Sequence, residues 1–100
     1  MYVIREVLNC KPGKVRPMVE KFRAISTVLE EMGREPFRLL TDVTGTRFWT
    51  IVAEIEVEKI EDFFATEQSL MANEALRKTM VDYHDLVDRG RREIYRIEKP

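Results

Sequence analysis

Three aspartates surround the chain's single histidine in "VDYHDLVDRG", residues 81–90, where His84 stands with Asp82, Asp85 and Asp88. Histidine changes charge near neutral pH, so beside carboxylates it can move a proton or ligate a metal. Spacing decides what this group can do. On a helix of roughly 100° per residue, Leu76, Met80, Tyr83 and Val87 form one buried stripe. His84 then lies roughly 70° from the centre of that stripe and Asp88 roughly 110° from it. Asp82 and Asp85 point away. Only Asp88, one turn on, can reach the imidazole. Two ligands on one helix fall short of the three or four a metal needs, so no metal site is expected. His84 is left as either a boundary residue beside an exposed carboxylate or an acid–base group at the edge of a pocket.

Glu6 is the second group with chemical promise. "YVIREVLN" (2–9) alternates as a strand, and Glu6 shares its face with Tyr2, Ile4 and Leu8. A carboxylate turned toward a core must find a partner or be held neutral. Arg96 could be that partner, unless the register leaves Glu6 in water. Trp49, on an apolar strand face, is either core or the floor of a pocket for a flat ligand. Phe64, Met80 and Tyr83 would wall the same space, and methionine suits an adaptable cavity. Cys10 has no histidine near it in sequence, which argues against a nucleophile. As the sole cysteine it also excludes an internal disulfide and an all-cysteine cluster. "KPGK" and "TGT" lack the glycine pattern of phosphate loops.

The composition bounds the setting. One hundred residues, 44% hydrophobic and 35% charged, suit one globular domain over residues 1–100. Seventeen basic and 18 acidic residues leave a net charge of −1, which offers no field for nucleic acid. No uncharged run approaches the roughly 20 residues that span a bilayer. The first ten residues carry Arg5 and Glu6 and no apolar stretch of signal length. A soluble, cytoplasmic protein without membrane contact is expected.

The elements that must position these groups are readable in order. After the first strand and the "KPG" turn, residues 14–33 repeat Val15, Met18, Val19, Phe22, Ile25, Leu29 and Met32 at helical spacing. Pro17 falls in the first turn and Gly33 just past the end. "EPFRLLTDV" and "RFWTIVAEIEV" form a hairpin around "TGT". Residues 58–89 are helical in two pieces, with Ser69 or Asn73 capping the second and Gly90 stopping it. "RREIYRIE" closes as a strand. The order βαββαβ predicts an α+β, ferredoxin-like fold: a four-stranded antiparallel sheet with helices on one face. Val3, Val7, Phe48 and Val52 would lie on the other face, where exposed apolar groups mark an interface. A twofold, sheet-to-sheet homodimer would cover them.

With "KPGK", "FWTIVAEIEV" and "GRREIYRIE" in these places, the chain resembles the dimeric α/β barrel superfamily, and within it the NIPSNAP-like small domains, over nearly its whole length. The resemblance implies two chains whose sheets face each other in a barrel. It implies too, in active members, a pocket between sheet and helices. The superfamily includes cofactor-independent monooxygenases, isomerases and haem-degrading oxygenases. The haem-degrading kind requires a histidine, an asparagine and a tryptophan at positions that fall here on Met80, Glu6 and Phe64, and none matches. No cofactor is expected. The expected function is binding of a small apolar or aromatic molecule, with Glu6 and His84 as tentative catalytic groups and Trp49, Phe64, Met80 and Tyr83 as pocket wall. A cofactor-independent monooxygenase or isomerase-like activity would build on that site. The alternative is a non-catalytic dimeric module with a filled core.

Overall fold

The computed structural model describes residues 1–99. Its elements are β1 (Tyr2–Cys10), α1 (Val15–Glu31), β2 (Arg38–Thr41), β3 (Thr50–Val57), α2 (Ile60–Ala72), α3 (Glu74–Thr79) and β4 (Val87–Arg96), with a 3₁₀ turn at Tyr83–Asp85 before the last strand. The four strands form one antiparallel sheet in the order β2-β3-β1-β4. This is the ferredoxin-like βαββαβ arrangement, with its second helical segment split in two.

Local chemistry accounts for the helix limits. Pro17 is the third residue of α1, where its missing N–H leaves no bond unmade. At the other end Gly33 adopts φ 74°, a conformation open to glycine without strain. The Gly33 N–H then donates to Glu30 O at 2.9 Å and the Arg34 N–H to Leu29 O at 2.8 Å, which satisfies two of the last helical carbonyls. The break between α2 and α3 falls at Asn73. Its Oδ1 accepts from the Leu76 N–H at 2.9 Å, so Asn73, rather than Ser69, caps the second piece.

One face of the sheet is buried under the helices. Ile4 of β1 stands between Ile55 of β3 and Ile94 of β4. Met18, Val19 and Phe22 of α1 pack on Ile51 and Ala53, and Cys10 and Leu86 close that cluster. Ile4, Met18, Leu29 and Ile51 are fully buried. Each such side chain contributes about 1.5–3 kcal/mol of transfer free energy.

The helix read through residues 80–89 ends at Thr79. Leu76, Met80, Tyr83 and Val87 keep helical spacing, but strand pairing prevails: Val87 opens β4 opposite Cys10, and the Lys11 N–H donates to Leu86 O at 2.8 Å. Three aspartates between residues 82 and 88 favour a turn over a helix interior. Gly90 therefore stops nothing. It lies inside β4 opposite Leu8, where a Cβ would come within 2.5 Å of Leu8 Cδ2.

The hairpin connection is also longer than "TGT". β2 ends at Thr41 and β3 begins at Thr50. Phe48 is consequently a loop residue, 82% exposed, and not a strand residue of the open face.

That open face differs from the apolar surface expected. Arg5 pairs with Glu54 at 3.2 Å and with Glu93 at 3.9 Å, Arg91 pairs with Glu93 at 2.7 Å, and Arg38 pairs with Glu54. Hydrogen bonding to Arg91 above all, aided by the charge of Arg5, holds the Glu93 carboxyl below the usual range against some desolvation. Val7 is buried among these groups, with Val52 half-buried beside it.

Candidate functional site

A cavity of about 470 Å³ lies between the sheet and the helices. Elements far apart in sequence wall it. Phe22, Ile25 and Leu29 come from one side of α1, and Phe63 and Leu70 from α2. Ile55 and Val57 of β3, Leu76 of α3 and Phe37 ahead of β2 complete the apolar lining. Phe22 and Phe37 meet edge to face with ring centres 6.0 Å apart. The helical spacing of α1 serves two purposes here. Met18 and Val19 seal the core at one end, while Phe22, Ile25 and Leu29 face the cavity at the other.

One wall is ionic. Glu6 faces the helices as the alternation of β1 requires, and directly across the strand pair stands Arg92 of β4. The Arg92 Nε–H donates to Glu6 Oε1, and its Nη2–H donates to Glu67 Oε2 of α2. A third bond runs from Nη1 to Glu67 Oε1 at 3.3 Å. The guanidinium carbon also lies 5.1 Å from the centre of the Phe63 ring, in cation–π range. Burial opposes the charge of Arg92, but the hydrogen bonds to Glu67 and then Glu6 outweigh it and hold its pKa above the ordinary arginine value. The array is two-thirds enclosed: the Arg92 and Glu67 side chains are each 33% exposed and that of Glu6 20%. A fixed cation between two carboxylates at the end of an apolar cavity can orient a polar group of a ligand, and a carboxylate there can accept a proton from it.

The residues singled out in the sequence are distributed differently. Glu6 lines the cavity, and its partner is Arg92 rather than Arg96, which lies over the Tyr2 ring. His84 sits exposed in the 3₁₀ turn, its ring 4.0 Å from that of Tyr83, and does not line the cavity. Its neighbour Asp82 pairs instead with Lys21 of α1 at 2.5 Å. Tyr83 packs against the core cluster, and Met80 caps the end of α3. Phe64 is exposed on α2 with its ring against Phe63. Trp49 precedes β3 at φ 61°, 44% exposed, and its carbonyl accepts from the Cys10 N–H. None of these five faces the cavity with Glu6.

Arg92 and Glu67 line the cavity without having been singled out from the sequence. Both carried a signal. Arg92 has the parity of Ile94 in the last strand, and Glu67 lies one helical turn beyond Phe63.

Two other sites of potential chemistry are quiet. Burial, reinforced by the charges of Asp88 and Asp42, pushes the Cys10 thiol up and away from the reactive thiolate. Among the described residues no group of three or more His, Cys, Asp or Glu side chains is placed to hold a metal ion, and no helix is long and apolar enough to cross a membrane.

No protein-family profile and no functionally curated protein matches the sequence significantly. Solved structures do match the fold. A protein from Agrobacterium tumefaciens superposes with a TM-score of 0.83 at 13% identity, over 99% of this chain and 95% of its own. A second crystal structure describes that protein as a NIPSNAP family member with unknown function. An uncharacterised NIPSNAP domain protein from Burkholderia xenovorans gives 0.77 at 14% identity, over 98% and 95%. A candidate antibiotic biosynthesis monooxygenase from Deinococcus radiodurans gives 0.68 at 11% identity, over 100% and 95%.

Proposed function

We propose that this chain, which has the ferredoxin-like fold of the NIPSNAP proteins, binds a small organic molecule with an apolar body in the cavity between sheet and helices. The observation that carries the reading is the meeting of an apolar cavity of about 470 Å³ with the ordered Glu6–Arg92–Glu67 array. Ligand sites commonly enclose about 300–1,000 Å³ and combine apolar walls with a few placed polar groups. A module with a filled core would need neither the volume nor a partly enclosed ionic wall.

Turnover is the second half of the proposal. Glu6 is the cavity carboxylate suited to accept a proton from a bound ligand, the kind of step with which cofactor-independent oxygenation or isomerisation begins. The likeness to the Deinococcus protein supports this half by fold analogy alone. His84, Trp49, Phe64, Met80 and Tyr83 take no part in it, because none lines the cavity.

The protein is further proposed to work as a homodimer through the open sheet face. The molecule is thin, 17 Å in its shortest dimension against 38 and 36 Å, as a sheet covered on one side should be. Its bare face mixes Arg5, Arg38 and Arg91 with Glu54 and Glu93, a pattern that can complement itself under a twofold axis.

Titration with the neutral apolar dye Nile red tests the binding reading. One dye per chain should bind, and Leu70→Trp, which fills the cavity from α2, should abolish binding while the far-ultraviolet circular dichroism stays unchanged. Equal binding by the folded variant would overturn the reading.

A further inference from the structure

We infer that the cavity selects a ligand whose apolar body carries a cationic or amine head group, and that it discriminates against carboxylates. This specifies the binding reading above and rests on it. Arginine in a pocket would ordinarily suggest an anionic ligand. Here that role is already taken. Arg92 spends its Nε–H on Glu6 and both terminal nitrogens on Glu67, so two carboxylates meet one guanidinium and the array carries a surplus negative charge.

The mouth adds to that surplus. The exposed residues bordering it include Glu35, Glu58 and Asp62, with Arg34 as the basic member. Glu56 also borders the cavity, but strand alternation turns its side chain to the opposite face, in the row of Val52 and Glu54. Counting the side chains that remain, five carboxylates stand against two guanidinium groups, in a protein whose whole net charge is only −1.

A concave site with low-dielectric walls focuses such a field. An incoming carboxylate would have to displace Glu6 or Glu67 from Arg92 and enter against the remaining charge. An ammonium group can instead take up the lone pairs of the Glu6 and Glu67 oxygens that Arg92 leaves free, while Arg92 keeps the Phe63 ring face. The Phe22, Ile25 and Leu29 wall meanwhile receives the apolar body.

A matched trio tests this: 1-naphthylmethylamine, 1-naphthylmethanol and 1-naphthoate, each titrated calorimetrically into the intact protein at pH 7 and low salt. The amine should bind at least tenfold more tightly than the carboxylate, with the alcohol between them. Raising the salt to half-molar should narrow that ratio, since screening weakens partly exposed charge pairs. Glu67→Gln, which removes one carboxylate of the cavity wall and keeps the size of the side chain, should reduce the ratio at least threefold. Equal affinities, or tighter binding of the carboxylate, would overturn the inference and leave the cavity itself as a binding site. Binding of none of the three, together with no binding of Nile red, would overturn the underlying reading as well.

Discussion

Arg92 of β4 and Glu6 of β1 face each other across paired strands on the helix side of the sheet, and the same guanidinium reaches Glu67 of α2. One side chain thereby ties a central strand, an edge strand and a helix together at the wall of the cavity. Strand pairing fixes the Glu6–Arg92 contact, whereas only tertiary packing brings Glu67 to it.

Replacing Arg92 with methionine should therefore do more than lose one ion pair. It leaves Glu6, mostly enclosed, beside an apolar wall without its donor. Because the array is a third exposed, the expected cost is modest, about 1–2 kcal/mol in urea unfolding. Glu6→Gln in the Arg92→Met background should recover part of it, since the unpaired charge is then gone. An unchanged unfolding midpoint for Arg92→Met would show that the array contributes nothing to stability.

Gly90 and Leu8 give a second coupled pair. The Leu8 side chain occupies the space a Cβ at residue 90 would need. Gly90→Ala should cost about 1–2 kcal/mol through the forced movement of Leu8. In a Leu8→Ala background the same substitution should be close to neutral, or slightly stabilising by the loss of glycine's unfolded-state freedom. Additive effects in that double-mutant cycle would refute the steric account.

The alternation of β1 put Glu6 on the helix side, and α1 was bounded by Pro17 and Gly33, because these signals are local. Arg92 was harder to place, since its partnership depends on the register of β4 against β1. The stretch 80–90 misled because Leu76, Met80, Tyr83 and Val87 satisfy helical spacing while the backbone obeys a strand partner 77 positions away, Cys10 opposite Val87. His84 lost its place at a pocket edge with that helix. Trp49 was displaced by the long turn, since its left-handed backbone takes it out of the strand alternation that would have turned its ring inward.

The exposed pair between Lys21 and Asp82 should make stability depend on acid. Lys21 Nζ donates both to Asp82 Oδ1 and to Thr79 O, each at 2.5 Å, and so holds the end of α3 against α1. The hydrogen bond from Lys21 is the main cause holding the Asp82 carboxyl below its ordinary value. A depressed folded pKa means stabilisation that is complete above the unfolded value, about pH 4, and fades as the pH falls through the folded one. Lys21→Met should lower the urea midpoint at pH 7, and its deficit relative to the unsubstituted protein should narrow below about pH 4. The Thr79 bond does not titrate, so a residual difference should persist in acid. A deficit that stays constant from neutral pH into acid would assign the whole effect to Thr79.

Val52 discriminates a covered sheet face from a bare one. It pairs with Val7 on one side and Leu40 on the other, within the ring of Arg and Glu side chains on the open face. In a monomer, Val52→Glu adds one more partly solvated carboxylate to a charged surface, a change of about 0.5 kcal/mol or less. In a sheet-to-sheet dimer the same carboxylate is taken out of water against the partner's sheet, which costs several kcal/mol. Light scattering at micromolar concentration should thus show the mass of two chains for the unsubstituted protein and of one chain for Val52→Glu, with helix content equal in both. A single-chain mass for the unsubstituted protein would remove the dimer from the proposal. The cavity, walled by residues of one chain, would then have to bind its ligand without a second subunit.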